Sequence, residues 1–316
     1  MVPEVRESSG RFVASALLAA CLYALSTPFS KVLLANVPSN MMAALLYLGA
    51  GLGMAALVAV RSRVTARAGS GDVGEVPLER ADAPYVVAMV ALDVAAPLLL
   101  MAGLAHATPE NVTLLNNFEI VATSVIAFAF FRERVVPRTW AGIVVITCAC
   151  ALLMLEGGEA LSFSSGSLMV LGACVCWGVE NNCTSRLSEK DPMQIVTVKG
   201  LGSGAGALAV ALAAGDALPG PADVAAALLL GFVAYGLSIF FYVYAQRGIG
   251  AARTSAYYAV NPFVGALLSL ALFRTVPAPT FLAALALMVL GTWLVTPRGE
   301  MDDGPGAAGS PGAEDD

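Results

Sequence analysis

The sequence predicts an all-α integral membrane protein with ten transmembrane helices arranged as two inverted five-helix repeats. Three observations lead there. Of 316 residues, 58% are hydrophobic and only 13% are charged, whereas soluble domains carry about 25% charged residues. The apolar residues fall in blocks of roughly 20, the length that crosses a hydrocarbon core about 30 Å thick at 1.5 Å per residue. Two long stretches, finally, resemble each other without a gap.

The blocks, read between breakers, predict spans at about 13–35, 41–60, 84–105, 109–131, 138–155, 166–187, 192–214, 222–245, 250–273 and 279–296. The run from Phe12 to Ala35 is too long for a cleavable signal and holds Pro28 and Lys31, so it is expected as a retained first span. Thr108-Pro109-Glu110 places a cap, a first-turn proline and an acid before the fourth span. Asp191-Pro192 does the same for the seventh, with Gln194 at the capping-box position.

Basic residues orient the chain. With the N-terminus in the cytoplasm, 14 of the 17 Lys and Arg residues fall on inner segments. The loops then placed outside, EGGEALSFSSG and AAGDALPGPAD, hold none. This is the positive-inside bias. It predicts a multi-pass cell-membrane protein with both termini cytoplasmic. The expected organisation is a cytoplasmic N-terminus (1–12), a first five-helix repeat (13–155), an external linker (156–165), a second repeat (166–297) and a disordered acidic cytoplasmic tail (298–316). The tail is Gly, Pro, Ala and acid with no apolar run.

The repeat aligns Leu104–Gly142 with Gln246–Ala284. Phe131-Arg132 falls on Phe273-Arg274, Pro137 on Pro279, and Glu119-Ile120 on Asn261-Pro262. Tyr23 and Pro38 likewise fall on Trp177 and Pro192. Five spans per half is an odd number, so the second half enters from the opposite side, as in many secondary transporters.

Ionisable residues inside spans are costly and mark function by default. Four sit well inside spans: Asp93, Glu119, Glu180 and Lys199. Glu180 and Lys199 sit at matching depth, roughly 10 Å in, on consecutive spans. They are expected either to pair structurally or to face one polar cavity as substrate anchors. Trp177, Glu180, Asn181 and Thr184 share a helix face, which must point inward because hydrocarbon cannot satisfy it. Asn116, Glu119 and Thr123 repeat the pattern in span 4, with Thr113 and Asn117 beside them. Span 8 carries Tyr235, Ser238, Tyr242 and Gln246; span 9 carries Thr254, Tyr257, Tyr258, Asn261 and Gly265. Pro28, Pro97 and Pro262 are expected helix kinks, Pro262 freeing the carbonyl of Tyr258 and Pro97 that of Asp93. Tyr47 and Tyr244 read as interfacial or packing aromatics. Gly200/Gly204 and Gly202/Gly206 are small-xxx-small pairs that permit close helix contact.

The expected substrate-binding set is therefore Trp177, Glu180, Asn181, Lys199, Asn116, Glu119, Tyr235, Tyr242, Tyr258 and Asn261. Asp93, Glu119 and Glu180 are the candidates for carrying a coupling proton, and Asp93 reads equally as a structural partner of Lys199. No metal or other cofactor is expected. His106 is the single histidine, the six cysteines sit in apolar blocks as packing residues, and no GxxxxGK[ST] loop occurs. No basic stripe interleaved with aromatics points to nucleic acid. The partners implied are a small-molecule substrate and the lipid bilayer; the sequence carries no signal for an oligomeric state.

These features resemble the drug/metabolite transporter superfamily, in particular its EamA-like permeases. The resemblance rests on FFRERVVPRTWAG (Phe130–Gly142) with Glu133, on NNFEI and the matching AVNPF, and on Trp177-Gly178. It covers nearly all of residues 12–297. The second half departs from the pattern: Arg274-Thr275-Val276 stands where the first has Arg132-Glu133-Arg134. The resemblance implies transport of metabolites or drugs, export more often than uptake. The residues then suggest a carrier of a small polar or amphipathic metabolite, such as an amino-acid-like zwitterion with its carboxylate on Lys199 and its amine on Glu180 or Glu119. The alternatives are a channel or non-transporting scaffold, and a membrane-embedded enzyme. The last lacks an HExxH motif and a second intramembrane aspartate, so no enzymatic activity is expected.

Overall fold

The structure is a computed structural model that describes residues 3–68, 77–131, 137–154, 164–185, 187, 190–249, 254 and 257–295. Glu133, most of the linker and the whole acidic tail lie outside the described residues. The described residues are mostly helical, and no strand occurs among them.

The helices are α1 (Pro3–Ala24), α2 (Ser26–Leu33), α3 (Ser39–Ala68), α4 (Ala83–His106), α5 (Pro109–Leu115), α6 (Phe118–Phe131) and α7 (Pro137–Met154). They continue as α8 (Ser165–Ser185), α9 (Pro192–Ala213), α10 (Pro221–Gly231), α11 (Ser238–Ile249), α12 (Asn261–Phe273) and α13 (Pro279–Val295). A π-helical turn, Phe232–Leu237, joins α10 to α11. Six segments among the described residues are long and apolar enough to cross a bilayer, and Pro137–Leu153, Asn261–Phe273 and Pro279–Val295 are shorter apolar helices. Their outer faces are apolar: Phe130 is 80% exposed, and Val87, Val144, Leu229 and Leu267 are exposed too. In water such a surface would drive association; in lipid it is the solvated face.

Local chemistry explains the starts and stops, with differences from expectation. Asp191 caps α9 by accepting from the Met193 amide at 2.9 Å. Gln194 does not close a capping box. Its Oε1 instead accepts the Leu78 amide at 2.8 Å and ties the segment before α4 to α9. Thr108 occupies the cap position of α5 in extended conformation but makes no capping bond, since Pro109 already removes one unsatisfied donor. α1 begins at Pro3, well before the apolar block that starts at Phe12, and α3 continues to Ala68. Periodicity marks the apolar stretch, whereas hydrogen bonding carries a helix past it into water.

The prolines act differently from one another. The first span breaks at Leu25, three residues ahead of Pro28, which then sits in the first turn of α2. α4 runs through Pro97 without interruption. Pro262 occupies the first turn of α12, so the chain is interrupted before it, in a turn at 259–260, rather than kinked around it. A first-turn proline forfeits no intrahelical bond, which makes a helix start the cheaper solution.

Glycine decides how closely the bundle packs. The two glycine pairs of α9 face different helices. A Cβ on Gly200 would stand 2.5 Å from the Cα of Gly51 in α3, and one on Gly204 2.6 Å from the Leu48 amide nitrogen. One on Gly202 would meet Val90 of α4 at 3.0 Å, and one on Gly206 would meet Val94 at 2.5 Å. α9 is thus seated between α3 and α4, and that places Lys199 among their polar residues.

Candidate functional site

The polar residues of the bundle interior meet where α4, α8 and α9 converge on α3. Each reaches its place by a helix register that lipid would not tolerate. Asp93 is fully buried on α4, Glu180 is 1% exposed on α8, and Lys199 projects between them from α9. Lys199 Nζ lies 3.1 Å from Asp93 Oδ2 and 3.1 Å from Glu180 Oε1. The pairing of Glu180 with Lys199 was one of the two expected arrangements; Asp93 joins as a third member. Tyr47 of α3 donates its hydroxyl to Asp93 Oδ1 at 3.2 Å. Thr184 donates to Glu180 Oε1 one turn along α8. Buried charges persist only when paired and hydrogen-bonded, and this set meets that condition by sharing one ammonium between two carboxylates.

The next turn of α8 faces α6. Asn181 Nδ2 donates to Glu119 Oε1 at 2.7 Å and approaches Thr123 Oγ1 at 3.4 Å. Asn182 donates to the Gly178 carbonyl at 2.8 Å and to the Thr123 carbonyl at 3.2 Å. The close approach of α8 and α6 depends on Gly178: a Cβ there would lie 2.7 Å from that of Ala122. Glu119 sits in the first turn of α6, just past the break at Asn116–Asn117. The helix N-terminus favours a carboxylate there.

A third group is aromatic. Tyr47, Tyr235, Tyr23, Tyr258 and Tyr242 form a chain with ring centroids 5.4, 5.3, 6.0 and 4.9 Å apart in that order. It draws on α3, the π turn, α1, the segment before α12, and α11. Ser238 donates to the Ala19 carbonyl at 2.9 Å and stands 3.3 Å from the Tyr258 hydroxyl. Trp177 is buried, with Tyr47 as a neighbour. A π turn widens a helix by one residue and commonly sits at functional positions; here it carries Tyr235 into the middle of the chain.

The structure therefore brings together Asp93, Glu180, Lys199, Glu119, Asn181, Trp177, Tyr235, Tyr242 and Tyr258. Asn116 lies at the break between α5 and α6, with its carbonyl 3.9 Å from Cys174 Sγ. Asn261 opens α12. Both mark helix breaks rather than the ion-pair set. Tyr47, expected as an interfacial or packing aromatic, is instead buried and bonded to Asp93. Its surroundings LLYLG carry no polar signal, so only the packing of α3 on α9 reveals it. Tyr244 does lie on the exposed face, its ring 5.2 Å from that of Phe12. The Gln246 side chain is outside the described residues. Lys31, a further cation within a span, caps α4: Nζ donates to the carbonyls of Leu104, Ala105 and Ala107 at 2.5, 3.3 and 2.9 Å. Among the described residues no cluster of metal-ligating side chains occurs.

Comparison with known proteins decides the family. The family model described as the EamA-like transporter family matches twice, over residues 11–155 and 164–296. This chain belongs to the EamA-like transporter family. It is a multi-pass membrane protein of transporter type. A curated relative, an uncharacterized transporter of Methanothermobacter thermautotrophicus, is 24% identical over 271 residues, covering 82% of this chain and 78% of that one. A solved crystal structure superposes with a TM-score of 0.63 at 18% identity, over 92% of this chain and 96% of that chain, and shows the same fold. For an EamA-like transporter, the polar core between α3, α4, α6, α8 and α9 is where a solute site would be sought.

Proposed function

We propose that this chain is a secondary transporter that moves a small polar or amphipathic metabolite by alternating access. The observation carrying the proposal is the shared ion-pair set Asp93–Lys199–Glu180 beside two broken helices. The breaks fall at matching places in the two halves: the alignment of Glu119 on Asn261 sets the Asn116–Asn117 turn against the turn that precedes α12. Discontinuous helices at corresponding positions are the signature of a transporter site at a repeat interface.

The reading includes ten spans in two inverted repeats, residues 13–155 and 166–297, with both termini cytoplasmic. Two features support it. The family model matches once per half. Helix pairings also come in matched sets: α4 with α8 is mirrored by α1 with α11, α6 with α8 by α1 with α12, and α3 with α10 by α9 with α4. Contacts between equivalent helices, α3 with α9 and α7 with α13, lie on the relating axis. Such a pair of halves has two mirror-related packings, one open to each side. Export is the favoured direction for a member of this family.

Counterflow in proteoliposomes tests the function. A candidate metabolite loaded inside should accelerate entry of its labelled form, with saturation in external concentration. Flux linear in concentration, or a single-channel current, would refute a carrier.

A further inference from the structure

The substrate class follows from what the site has left to offer. We propose that this site, read as the transport site above, takes a small organic cation: an ammonium group with an apolar or aromatic body. Among the described residues the polar core holds three carboxyls, Asp93, Glu180 and Glu119, and one ammonium, Lys199. Lys199 already lies 3.1 Å from each of two carboxylates. Two of its three donors are committed, and its charge is already answered by two carboxylates, so an anionic ligand would have to compete with both. Lys31 is held by three carbonyls at the end of α4. An amino-acid-like zwitterion would have to share Lys199 with Asp93 and Glu180 to anchor its carboxylate there.

The carboxyl with no cationic partner is Glu119, whose hydrogen bond comes from the neutral amide of Asn181. It interacts electrostatically with Tyr23 and Tyr258 as well as with Glu180 and Lys199. The tyrosine chain thus neighbours a set in which carboxyls outnumber ammonium groups three to one. Faces of Tyr attract cations through the ring quadrupole, and cages of such rings recognise quaternary ammonium groups. An independent observation at the centre of the chain points to a ligand's polar group. Tyr235 is 3% exposed at the centre of the chain, between Tyr23 and Tyr47, yet its hydroxyl makes no hydrogen bond of acceptable geometry although Ser26 and Tyr23 are neighbours. A buried hydroxyl without a partner costs stability; a ligand's polar group entering the cage would satisfy it. Asn181 and Glu119 then hold the charged head, and the rings of Tyr23, Tyr235 and Tyr258 hold the body.

The test compares shape-matched solutes on the purified full-length protein in detergent: choline, its neutral carbon isostere 3,3-dimethylbutan-1-ol, the anion 3,3-dimethylbutanoate, and benzyltrimethylammonium. Isothermal titration and thermal shift should show at least one of the two cations binding on the order of tenfold or more tighter than the neutral and anionic solutes. Glu119→Gln should remove that preference. Tyr258→Leu should weaken cation binding while Tyr258→Phe retains it, which keeps the test valid if Glu119→Gln fails to fold. Equal or tighter binding of the anion, no binding of either cation, or an undiminished cation preference in a folded Glu119→Gln protein would overturn the proposal. Saturable counterflow of a neutral or anionic solute without cation preference would remove this inference and leave the carrier reading standing. Absence of saturable flux for any solute would remove the carrier reading itself.

Discussion

Replacing Lys199 by Met removes the one ammonium that two buried carboxylates share. At 3.1 Å, each contact is worth about 5 kcal/mol at an effective dielectric of 20 before desolvation is subtracted. Breaking a buried pair from one side costs about 3–5 kcal/mol, because the partner charge is left uncompensated. Here two partners are left, so the upper end of that range applies. Scaled to a melting shift, this is on the order of 10 °C or more. Thermal unfolding of the detergent-solubilised protein, followed by size-exclusion chromatography, measures it. The triple variant Asp93→Asn, Lys199→Met, Glu180→Gln should recover most of the loss, since no unpaired charge remains. A Lys199→Met protein melting within about 2 °C of the parent would refute the shared ion pair. So would a triple variant no better than the single one.

Other expectations concern packing and the bundle ends. Gly200→Ala should destabilise by about 1–3 kcal/mol, because its Cβ meets the Gly51 backbone, whereas Gly202→Ala meets only the Val90 side chain and should cost less; equal melting temperatures would contradict this packing. Lys31→Met strands three carbonyls at the end of α4; a loss of about 1–3 kcal/mol is expected and would be seen as faster amide exchange in the last turn of α4. Asp82 is held below the ordinary carboxylate value, first by the Glu79 backbone amide and then by Lys190, 3.3 Å away. A depressed folded value means the tether is fully present above the unfolded value of about 4 and lost as pH falls through the folded one. The Glu79 amide should therefore lose exchange protection below about pH 4, corrected for intrinsic rate. Protection unchanged at acid pH would place the tether elsewhere.

Much of the site was legible one helix at a time. Glu180, Asn181, Glu119 and Lys199 stood out because polarity inside a span of twenty apolar residues is expensive, and equal depth suggested that Glu180 and Lys199 meet. Asp93 was visible as a charge with two readings, a proton site or a partner of Lys199; choosing between them depended on α9 lying between α3 and α4, which the two glycine ridges dictate. Tyr47 carried no signal of its own and read as an interfacial or packing aromatic, and Tyr23 was marked only by its alignment with Trp177. Pro262 announced an interruption correctly, but whether the chain would bend or restart depended on hydrogen bonds two residues earlier.

By itself, the sequence determined that the chain lives in a bilayer, where its apolar blocks lie, that its halves resemble each other, and which residues pay for being buried. Those are properties of composition, period and order along one dimension. The tertiary structure alone decided that one ammonium serves two carboxylates, that Glu119 is answered by a neutral amide, and that five tyrosines from distant segments form one chain. The physical reason is that depth in the membrane is nearly a linear function of residue number, whereas the rotation of each helix and its neighbours are not. Those are set by where glycine lets backbones approach, and the charge balance of the site follows from them.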